Sequence, residues 1–193
     1  MMRITTGIYR GRNIRMPKGI RPTQNIARKA VFDILGDIQG LSFLELYAGS
    51  GAVGIEAASR GAREAVFVED DLSVIKVLEQ NLTHVFNTKY QIFPLDALLA
   101  IKRLAQDGCR FDIIFFDPPY FRGDDSLAKK TLQTLVGYDI LSPAGLIIAQ
   151  HPKKESLPEH LGVLTLLKLS TYGNTRVSFY RKNEPKSDIS GDV

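Results

Sequence analysis

Ten residues decide the fold of this chain: Glu45-Leu46-Tyr47-Ala48-Gly49-Ser50-Gly51-Ala52-Val53-Gly54. The three glycines stand in the spacing G-x-G-x-x-G, which permits a tight turn and the close approach of a backbone to a ligand. The apolar run 41–46 predicts a strand, and residues 52–59 predict a helix. The stretch therefore indicates a strand–helix unit whose connecting loop binds a ligand.

The same alternation continues along the chain. Strands are predicted at 65–69, 90–95, 111–116 and 146–150, and helices at 71–86, 97–106 and 126–138. Two more strands, 163–170 and 175–182, have only four residues between them and predict an antiparallel hairpin. Repeated strand–helix units require a parallel sheet with helices on both faces. We therefore predict a doubly wound, mostly parallel, seven-stranded Rossmann-like α/β sheet that ends in an antiparallel hairpin strand.

Composition narrows the class of protein. The 193 residues are 44% hydrophobic and 24% charged, which is typical of one globular domain. The sequence shows neither a membrane-length apolar run nor a secretory signal. Its single cysteine, Cys109, excludes an internal disulfide, and its three histidines lack the spacing of metal ligands. These observations predict a cytoplasmic protein without a metal.

The N-terminal segment is strongly basic. Its first 32 residues contain eight Lys and Arg residues and no Asp or Glu: Arg3, Arg10, Arg12, Arg15, Lys18, Arg21, Arg28 and Lys29. Residues 3–20 predict a short hairpin, and Thr23 is a candidate N-cap for a helix that ends before Gly36. We predict a basic arm at 1–22 that contacts nucleic-acid phosphates, a main domain at 23–182 and a disordered tail at 183–193.

A second motif, Asp117-Pro118-Pro119-Tyr120, follows the predicted strand 111–116. Proline lacks an N–H donor and ends the strand, so the motif is placed at the carboxyl edge of the sheet, where ligands bind in this fold class. A carboxylate and a carbonyl can each accept a hydrogen from an amine, and a ring can stack on a base. The motif therefore predicts recognition of a planar amine.

Three acids, Glu45, Glu69 and Asp96, stand at or near the ends of successive predicted strands. The glycine spacing and Glu69 also match a nicotinamide-dinucleotide site, so an oxidoreductase is the rival interpretation. However, Glu45 would repel a pyrophosphate, and the chain leaves no room for a substrate domain. S-adenosylmethionine fits better, because Glu69 suits its ribose, Asp96 its adenine edge, and a carboxylate near the glycines its ammonium.

These motifs resemble those of the RsmD-type family of 16S ribosomal RNA guanine-N2 methyltransferases, over residues 3–182. The resemblance is carried by Gly11-Arg12, Arg21-Pro22-Thr23, Arg28, Val31-Phe32-Asp33-Ile34-Leu35, Leu44-Glu45-Leu46-Tyr47-Ala48-Gly49-Ser50-Gly51, Ser59-Arg60-Gly61-Ala62, Val68-Glu69, Asn81 and Asp117-Pro118-Pro119-Tyr120. Tyr47 stands where the family often has Phe. The resemblance implies a monomeric, cytoplasmic, S-adenosylmethionine-dependent enzyme that methylates one guanine during assembly of the small ribosomal subunit.

The predicted site follows from the motifs and the resemblance together. The guanine leaves its stack, its N2 hydrogens bond Asp117 and the Pro118 carbonyl, and Tyr120 stacks on the base. The predicted cofactor contacts are Glu45, Tyr47, Ala48, Gly49, Ser50, Gly51, Glu69, Asp96 and Asp117. The predicted RNA contacts are Arg10, Arg12, Arg15, Arg21 and Arg28.

Two further alternatives share parts of this pattern. A DNA adenine-N6 methyltransferase would carry the same motifs, but it usually needs a target-recognition segment for which 193 residues leave no space. A non-catalytic RNA-binding assembly factor would keep the fold without turnover. Assays for methyl transfer separate the second alternative from an enzyme, and identification of the methylated base separates the first.

Overall fold

The structure is a computed structural model that describes residues 2–17, 25–83, 89–119 and 126–183. Its strands are β1 (Met2–Arg3), β2 (Asn13–Ile14), β3 (Ser42–Leu46), β4 (Glu64–Glu69), β5 (Lys89–Pro94), β6 (Phe111–Phe116), β7 (Leu141–Pro152), β8 (His160–Leu161), β9 (Leu164–Tyr172) and β10 (Thr175–Lys182). Its helices are α1 (Asn25–Leu35), α2 (Ala52–Ser59), α3 (Leu72–Thr83), α4 (Ala97–Gln106) and α5 (Leu127–Gly137).

Eight strands form one sheet in the order β5-β4-β3-β6-β7-β10-β9-β8. Strands β3 to β7 are parallel to their neighbours among themselves, whereas β10, β9 and β8 pair antiparallel. The predicted fold class is confirmed, including the closing hairpin, whose turn is only Gly173-Asn174. Gly173 has φ 58°, the left-handed conformation that two-residue hairpin turns require.

Two details of the sheet differ from the prediction. The sheet has eight strands and not seven, because β8 is a two-residue edge strand, too short to show a hydrophobic period. Strand β7 begins at Leu141, five residues before the predicted start, although Pro143 and Gly145 favour a turn there. The pairing of β7 with β6 shifts register between Phe111 and Ile113, and this irregularity accommodates the extra residues.

The core lies in two layers, one on each face of the sheet. Apolar residues of α4 and α5, such as Ala100 and Leu132, pack on one face of the sheet, to which β6 contributes Phe116. Helices α1, α2 and α3 cover the other face, where Phe32 and Leu78 are fully buried. This arrangement leaves the carboxyl ends of the parallel strands at one edge of the sheet, between the two helical layers.

The N-terminal segment packs on helices α2 and α3. Strands β1 and β2 pair antiparallel, as the predicted hairpin requires, but each spans only two residues. Met2, Ile4, Tyr9 and Ile14 belong to the same buried cluster as residues of α2, α3 and β4. The segment 2–17 therefore shares the core of the main fold.

Helix α2 holds this segment by polar contacts as well. The Glu56 carboxylate accepts hydrogen bonds from the Thr5 and Thr6 N–H groups at 2.8 and 3.0 Å and from the Thr5 hydroxyl at 2.6 Å. The Ser59 carbonyl accepts from Ile8 N–H at 2.8 Å. A Cβ on Gly7, whose φ is 82°, would lie 1.7 Å from that carbonyl, so glycine is required at this approach.

Some predictions fall outside the described residues. These predictions are the domain boundary after residue 22, the N-cap at Thr23 and the tail beyond residue 183. None of the described helices is long and apolar enough to cross a membrane. Within the described ranges, His, Cys, Asp and Glu side chains do not group as ligands of a metal ion.

Candidate active site

The register of the parallel strands places the predicted motifs next to one another at the carboxyl edge of the sheet. Leu46 of β3 is paired with Val68 of β4 on one side and with Phe116 of β6 on the other. The next residues therefore stand side by side at the carboxyl edge of the sheet: Tyr47, Glu69 and Asp117. The glycine loop and the Asp117 motif thus meet on adjacent strands, as the sequence predicts.

The glycine loop turns tightly between β3 and α2. Gly49 and Gly51 have φ values of 55° and 73°, in the left-handed region. A Cβ on Gly51 would lie 2.4 Å from Leu78 Cδ1, so a side chain at this position would disrupt the packing of α3. The Gly49 N–H donates to Glu69 Oε2 at 2.8 Å, and this bond fastens the loop to the end of β4.

Tyr47 is the one described non-glycine residue with a positive φ, 57°. Such strain in a non-glycine residue is typical of functional loops. Its hydroxyl hydrogen-bonds Thr131 Oγ1 at 2.7 Å, and burial raises the pKa of the phenol to about 12. The hydroxyl thus points to α5, while the residue stays partly exposed, and its contact with a cofactor remains a prediction.

Ser50 is 5% exposed, and its carbonyl accepts a hydrogen bond from Asn81 Nδ2 at 2.9 Å. The same amide of Asn81 donates to the Arg15 carbonyl and accepts from the Arg15 N–H, both at 2.9 Å. One side chain of α3 therefore joins the glycine loop to the basic segment. The sequence shows Asn81 only as part of the family resemblance and gives no sign of this role.

Glu45 lies beneath the loop and is 3% exposed. Its carboxylate accepts from Gly54 N–H at 2.8 Å and from Val53 N–H at 3.3 Å, at the start of α2. A Cβ on Gly54 would lie 2.5 Å from Phe67 Cε1 and 2.9 Å from Glu45 Oε2, which accounts for the third glycine of the motif. Burial, and then the charge of Asp117, raise the pKa of Glu45 to about 8 against the hydrogen bonds that lower it.

The position of Glu45 corrects one expectation. The sequence predicts direct contact with a cofactor, but 3% exposure leaves the side chain little surface for it. Its oxygens are instead engaged with the N–H groups of α2. Glu45 can therefore influence a ligand through its charge and through the helix it caps.

Glu69 and Asp96 keep accessible oxygens at the same edge. Glu69 is partly exposed, and besides Gly49 it accepts from the N–H groups of Asp70 and Asp71 at 3.1 Å. Asp96 is the N-cap of α4, and its bonds from Leu98 N–H and Leu99 N–H both use Oδ1. Both carboxylates thus serve the fold and still have lone pairs that can accept from a ligand.

Asp117 is partly exposed and follows β6 directly, and Pro118 is buried. Gln150 of β7 donates from Nε2 to Asp117 Oδ2 at 2.5 Å. Sequence reasoning missed Gln150, because a lone glutamine has no recognisable motif. Tyr120, the predicted stacking residue, lies outside the described residues.

Three of the five predicted RNA contacts are exposed on the basic segment: Arg10, Arg12 and Arg15. The Arg12 guanidinium lies 5.1 Å from the centre of the Tyr9 ring, and Arg15 Nη1 donates to Gln80 at 2.9 Å. Their charged ends are accessible to a phosphate. Arg21 lies outside the described residues.

The prediction that Arg28 contacts RNA is wrong. It is 1% exposed, its Nη2 donates to the Arg3 carbonyl at 2.6 Å, and its Nε lies 4.0 Å from Glu56 Oε2. A phosphate cannot reach a guanidinium buried in this way. Burial lowers the pKa of Arg28 and the charge of Glu56 raises it, so we assign Arg28 to the fold and not to RNA contact.

Comparison with known proteins supports the resemblance. The family model described as Conserved hypothetical protein 95 matches residues 2–181. Ribosomal RNA small subunit methyltransferase D of Escherichia coli (strain K12) is 34% identical over 160 residues, which cover 81% of this chain and 78% of that protein. The protein of the same name from Haemophilus influenzae is 31% identical over 186 residues, which cover 93% of each.

Solved structures show the same fold. A hypothetical protein of Thermus thermophilus matches with a TM-score of 0.81 at 30% identity, over 94% of this chain and 99% of that one. SMU.776, solved in complex with SAH, matches with a TM-score of 0.65 at 21% identity over 84% of this chain and 50% of that one, which shows the fold alone. Because the family model matches nearly the whole chain, the chain belongs to the RsmD-type family of small-subunit ribosomal RNA methyltransferases.

Proposed function

We propose that this protein transfers a methyl group from S-adenosylmethionine to the exocyclic N2 of one guanine in 16S ribosomal RNA, during assembly of the small subunit. The observation that carries the proposal is the register of β3 and β6, which pairs Leu46 with Phe116. It sets the glycine loop and the Asp117 motif side by side, so one ligand on the loop and one at Asp117 would touch.

The residues present fit S-adenosylmethionine. The left-handed glycines bring the loop backbone to the surface of the edge, and the Glu69 carboxylate beside them can accept from the two ribose hydroxyls. Asp96 Oδ2, which the helix cap does not use, can accept from the adenine amine. Burial raises the pKa of Glu45 beneath the loop to about 8, and an ammonium group bound nearby would favour its ionised form, whereas a phosphate would oppose it. When bound, the cofactor supplies a methyl group on a positively charged sulfur.

Asp117 and the Pro118 carbonyl would hold the acceptor. Each accepts one hydrogen of the guanine N2, which fixes the direction of the nitrogen lone pair toward the methyl carbon. Methylation of N2 releases one proton, and the partly exposed Asp117 carboxylate would be placed to accept it and pass it to water. Tyr120, next in the motif, would stack on the base that has left its helix.

The exposed arginines of residues 2–17 would bind the RNA backbone. Contacts of this kind give affinity and orientation but no base specificity. Because the segment packs on α2 and α3 and its Arg15 backbone bonds Asn81, which also bonds the glycine loop, RNA bound there would lie close to the cofactor loop. We further propose that the protein acts as a cytoplasmic monomer on RNA or on an assembling particle.

Asp117→Ala tests the proposal. We expect single-turnover methylation of small-subunit particles from cells lacking the native enzyme to fall by about a hundredfold or more, since the acceptor loses a charge-assisted bond and its alignment. The fold and cofactor binding should persist, because Asp117 is partly exposed at a strand end. Asp107→Asn is the matched control, since this exposed acid pairs with Arg103 at the far end of α4.

Mass spectrometry of the product identifies the acceptor. Methyl on guanine N2 supports the proposal, whereas methyl on adenine N6 would replace the substrate and keep the fold and cofactor. Full activity of Asp117→Ala would remove this motif from the mechanism. Absence of methyl transfer by the wild-type protein, with RNA binding intact, would favour the assembly factor.

A further inference from the structure

Gln150 lies beside Asp117 although no motif contains it. Ala149 of β7 is paired with Phe116 of β6, so the following residues, Gln150 and Asp117, are neighbours at the edge of the sheet. Gln150 is 3% exposed, and its Nε2 donates to Asp117 Oδ2 at 2.5 Å. The acceptor is a carboxylate, so this hydrogen bond is charge-assisted and can fix the orientation of Asp117.

The other half of the same amide is unsatisfied. Gln150 Oε1 is buried and has no hydrogen-bond partner among the described residues. Turning the amide over would place this oxygen against the Asp117 carboxylate, which repels it, so Asp117 dictates how the amide points. A buried acceptor without a partner destabilises a fold, and each such group in a native protein requires an explanation.

Gln150 has buried apolar neighbours on its own face of the sheet. Its cross-strand partner on β10 is Val177, which is fully buried, and Ile148, two residues earlier on the same face, is fully buried too. An apolar side chain of similar size would suit this environment better than glutamine. The stability of the sheet therefore does not account for an amide at this position, whereas its bond to Asp117 does.

We propose, on the basis of the function proposed above, that Gln150 is a positioning residue for methyl transfer. Its Nε2–H group holds Oδ2 of Asp117 and so fixes the plane of the carboxylate that receives the acceptor amine. Gln150 itself does not touch the reacting atoms. Its effect passes entirely through the orientation of Asp117, because small misalignments of an acceptor reduce rates strongly.

Gln150→Leu separates positioning from folding. It removes both the bond to Asp117 and the unsatisfied oxygen at nearly constant volume. We expect a single-turnover rate about 10- to 100-fold lower, with the dissociation constants of cofactor and RNA changed less than about twofold. The melting temperature should be unchanged or higher. A lower melting temperature with a proportionate loss of cofactor binding would assign Gln150 to structure and overturn the proposal.

Gln150→Glu gives a second readout if the leucine variant does not fold. The new carboxyl group would face Asp117, and two such groups at this distance cannot both be ionised, so they share a proton at low pH. A protonated carboxyl again donates to Asp117. The deficit relative to wild type should therefore be smaller at about pH 6 than at about pH 8. Glu45, whose charge also couples to Asp117, is present in both proteins, and an equal deficit at both pH values would contradict the proposal.

Ser178→Ala is the matched control, because it removes another buried hydrogen bond of the same sheet, to His151 Nε2 at 2.9 Å, on the face away from Asp117. It should lower stability and leave the rate of methyl transfer within about twofold. Asp117→Ala measured alongside distinguishes the two proposals. If Asp117→Ala is inactive and both Gln150 variants are fully active, only the role of Gln150 fails. If Asp117→Ala is fully active, the proposed site itself fails.

Discussion

Two buried glutamates lie against helix α2, and their surroundings differ sharply. Glu56, on the helix, is fully buried and receives hydrogen bonds from Thr5 and Thr6, with Arg60 at 3.2 Å and Arg28 at 4.0 Å. Glu45, below the helix N-terminus, is 3% exposed and receives bonds from the backbone N–H groups of that helix. Glu56 is paired with two cations, whereas the charges of Arg28 and Asp117 act on the pKa of Glu45 in opposite directions.

The difference separates a structural site from a functional one. Glu56 has its charge balanced within the protein, so it fastens the N-terminal segment and has nothing left to offer a ligand. Glu45 lies at the carboxyl edge of the sheet, where burial raises its pKa to about 8, so the folded protein keeps this group largely protonated at neutral pH. A cation bound at the loop would lower this pKa and favour the ionised form, and that is the role we propose for the ammonium of the cofactor.

Glu56→Gln tests the structural role of Glu56, and we expect it to cause the largest loss in the free energy of unfolding. It leaves the buried Arg28 without its counterion, which typically destabilises a fold by about 3–5 kcal/mol. Urea unfolding measures this loss. Glu64→Gln is the control, since its pairs with Arg63 and Lys89 are largely exposed and should contribute no more than about 1 kcal/mol. Similar losses in both variants would show that Glu56 has no special role.

Asn81→Ala tests whether the two sites are joined. It leaves the Ser50 carbonyl and the Arg15 backbone without this partner, for an expected loss of about 1–3 kcal/mol. S-adenosylmethionine should also bind less tightly, because the glycine loop loses a support. Urea unfolding and calorimetry measure the two effects. Gln80→Ala, on the exposed side of the same helix, should change neither, and unchanged cofactor affinity in Asn81→Ala would mean that the loop does not depend on Asn81.

The pH dependence of stability tests the raised pKa of Glu45. The folded pKa of Glu45 is raised from 4.5 to about 8, so the folded protein keeps a proton that the unfolded chain has lost. Stability should therefore fall as pH rises between about 5 and 8, by about 1.4 kcal/mol per pH unit from this group. Glu45→Gln should lack this slope. The difference between the two proteins is the informative quantity, because His151, whose pKa burial lowers, contributes a slope of opposite sign to both.

The exposed arginines should have the smallest effect on stability. Replacing Arg10, Arg12 and Arg15 together by Gln should change the free energy of unfolding by less than about 0.5 kcal/mol for each. RNA binding should weaken, and its dependence on salt should flatten by about 0.7–0.9 for each phosphate that is no longer neutralised. Filter binding at several salt concentrations measures the slope. The control removes three charges from the opposite face, at Lys102, Lys129 and Lys130, and an equal change there would show a general effect of net charge.

Much of the fold could be predicted because local signals mark the ends of its elements. Helix α4 begins after Asp96, whose side chain caps it, and β6 ends where Pro118 removes a donor. The same markers place the site residues at strand ends, and the parallel register brings them together. The first five residues of β7 could not be predicted, because Pro143 and Gly145 are typical of a turn. Their place in the strand follows only from the pairing of β7 with β6.

The roles of individual polar side chains could not be predicted. Arg28 belongs to a basic run and resembles its exposed neighbours, but its counterion, Glu56, is distant in the sequence. The role of Gln150 depends on its bond to Asp117, 33 residues away in the sequence. The role of Asn81 depends on its bonds to the Arg15 backbone and to the glycine loop at Ser50. Charged and amide residues are usually exposed, so sequence patterns assign them to the surface unless a motif indicates a partner.

The position of β10 has a consequence for the order of folding. This strand comes last along the sheet-forming chain, but it lies between β7 and β9. While the chain is being synthesised, the edge of β7 that pairs with β10 therefore stays unpaired until residues 175–182 have been made. At about 5–20 residues per second, the stretch from Pro152 to Lys182 takes roughly 2–6 s to make. During that time one edge of β7 lacks its partner strand, and an unpaired edge of this kind can pair with another chain.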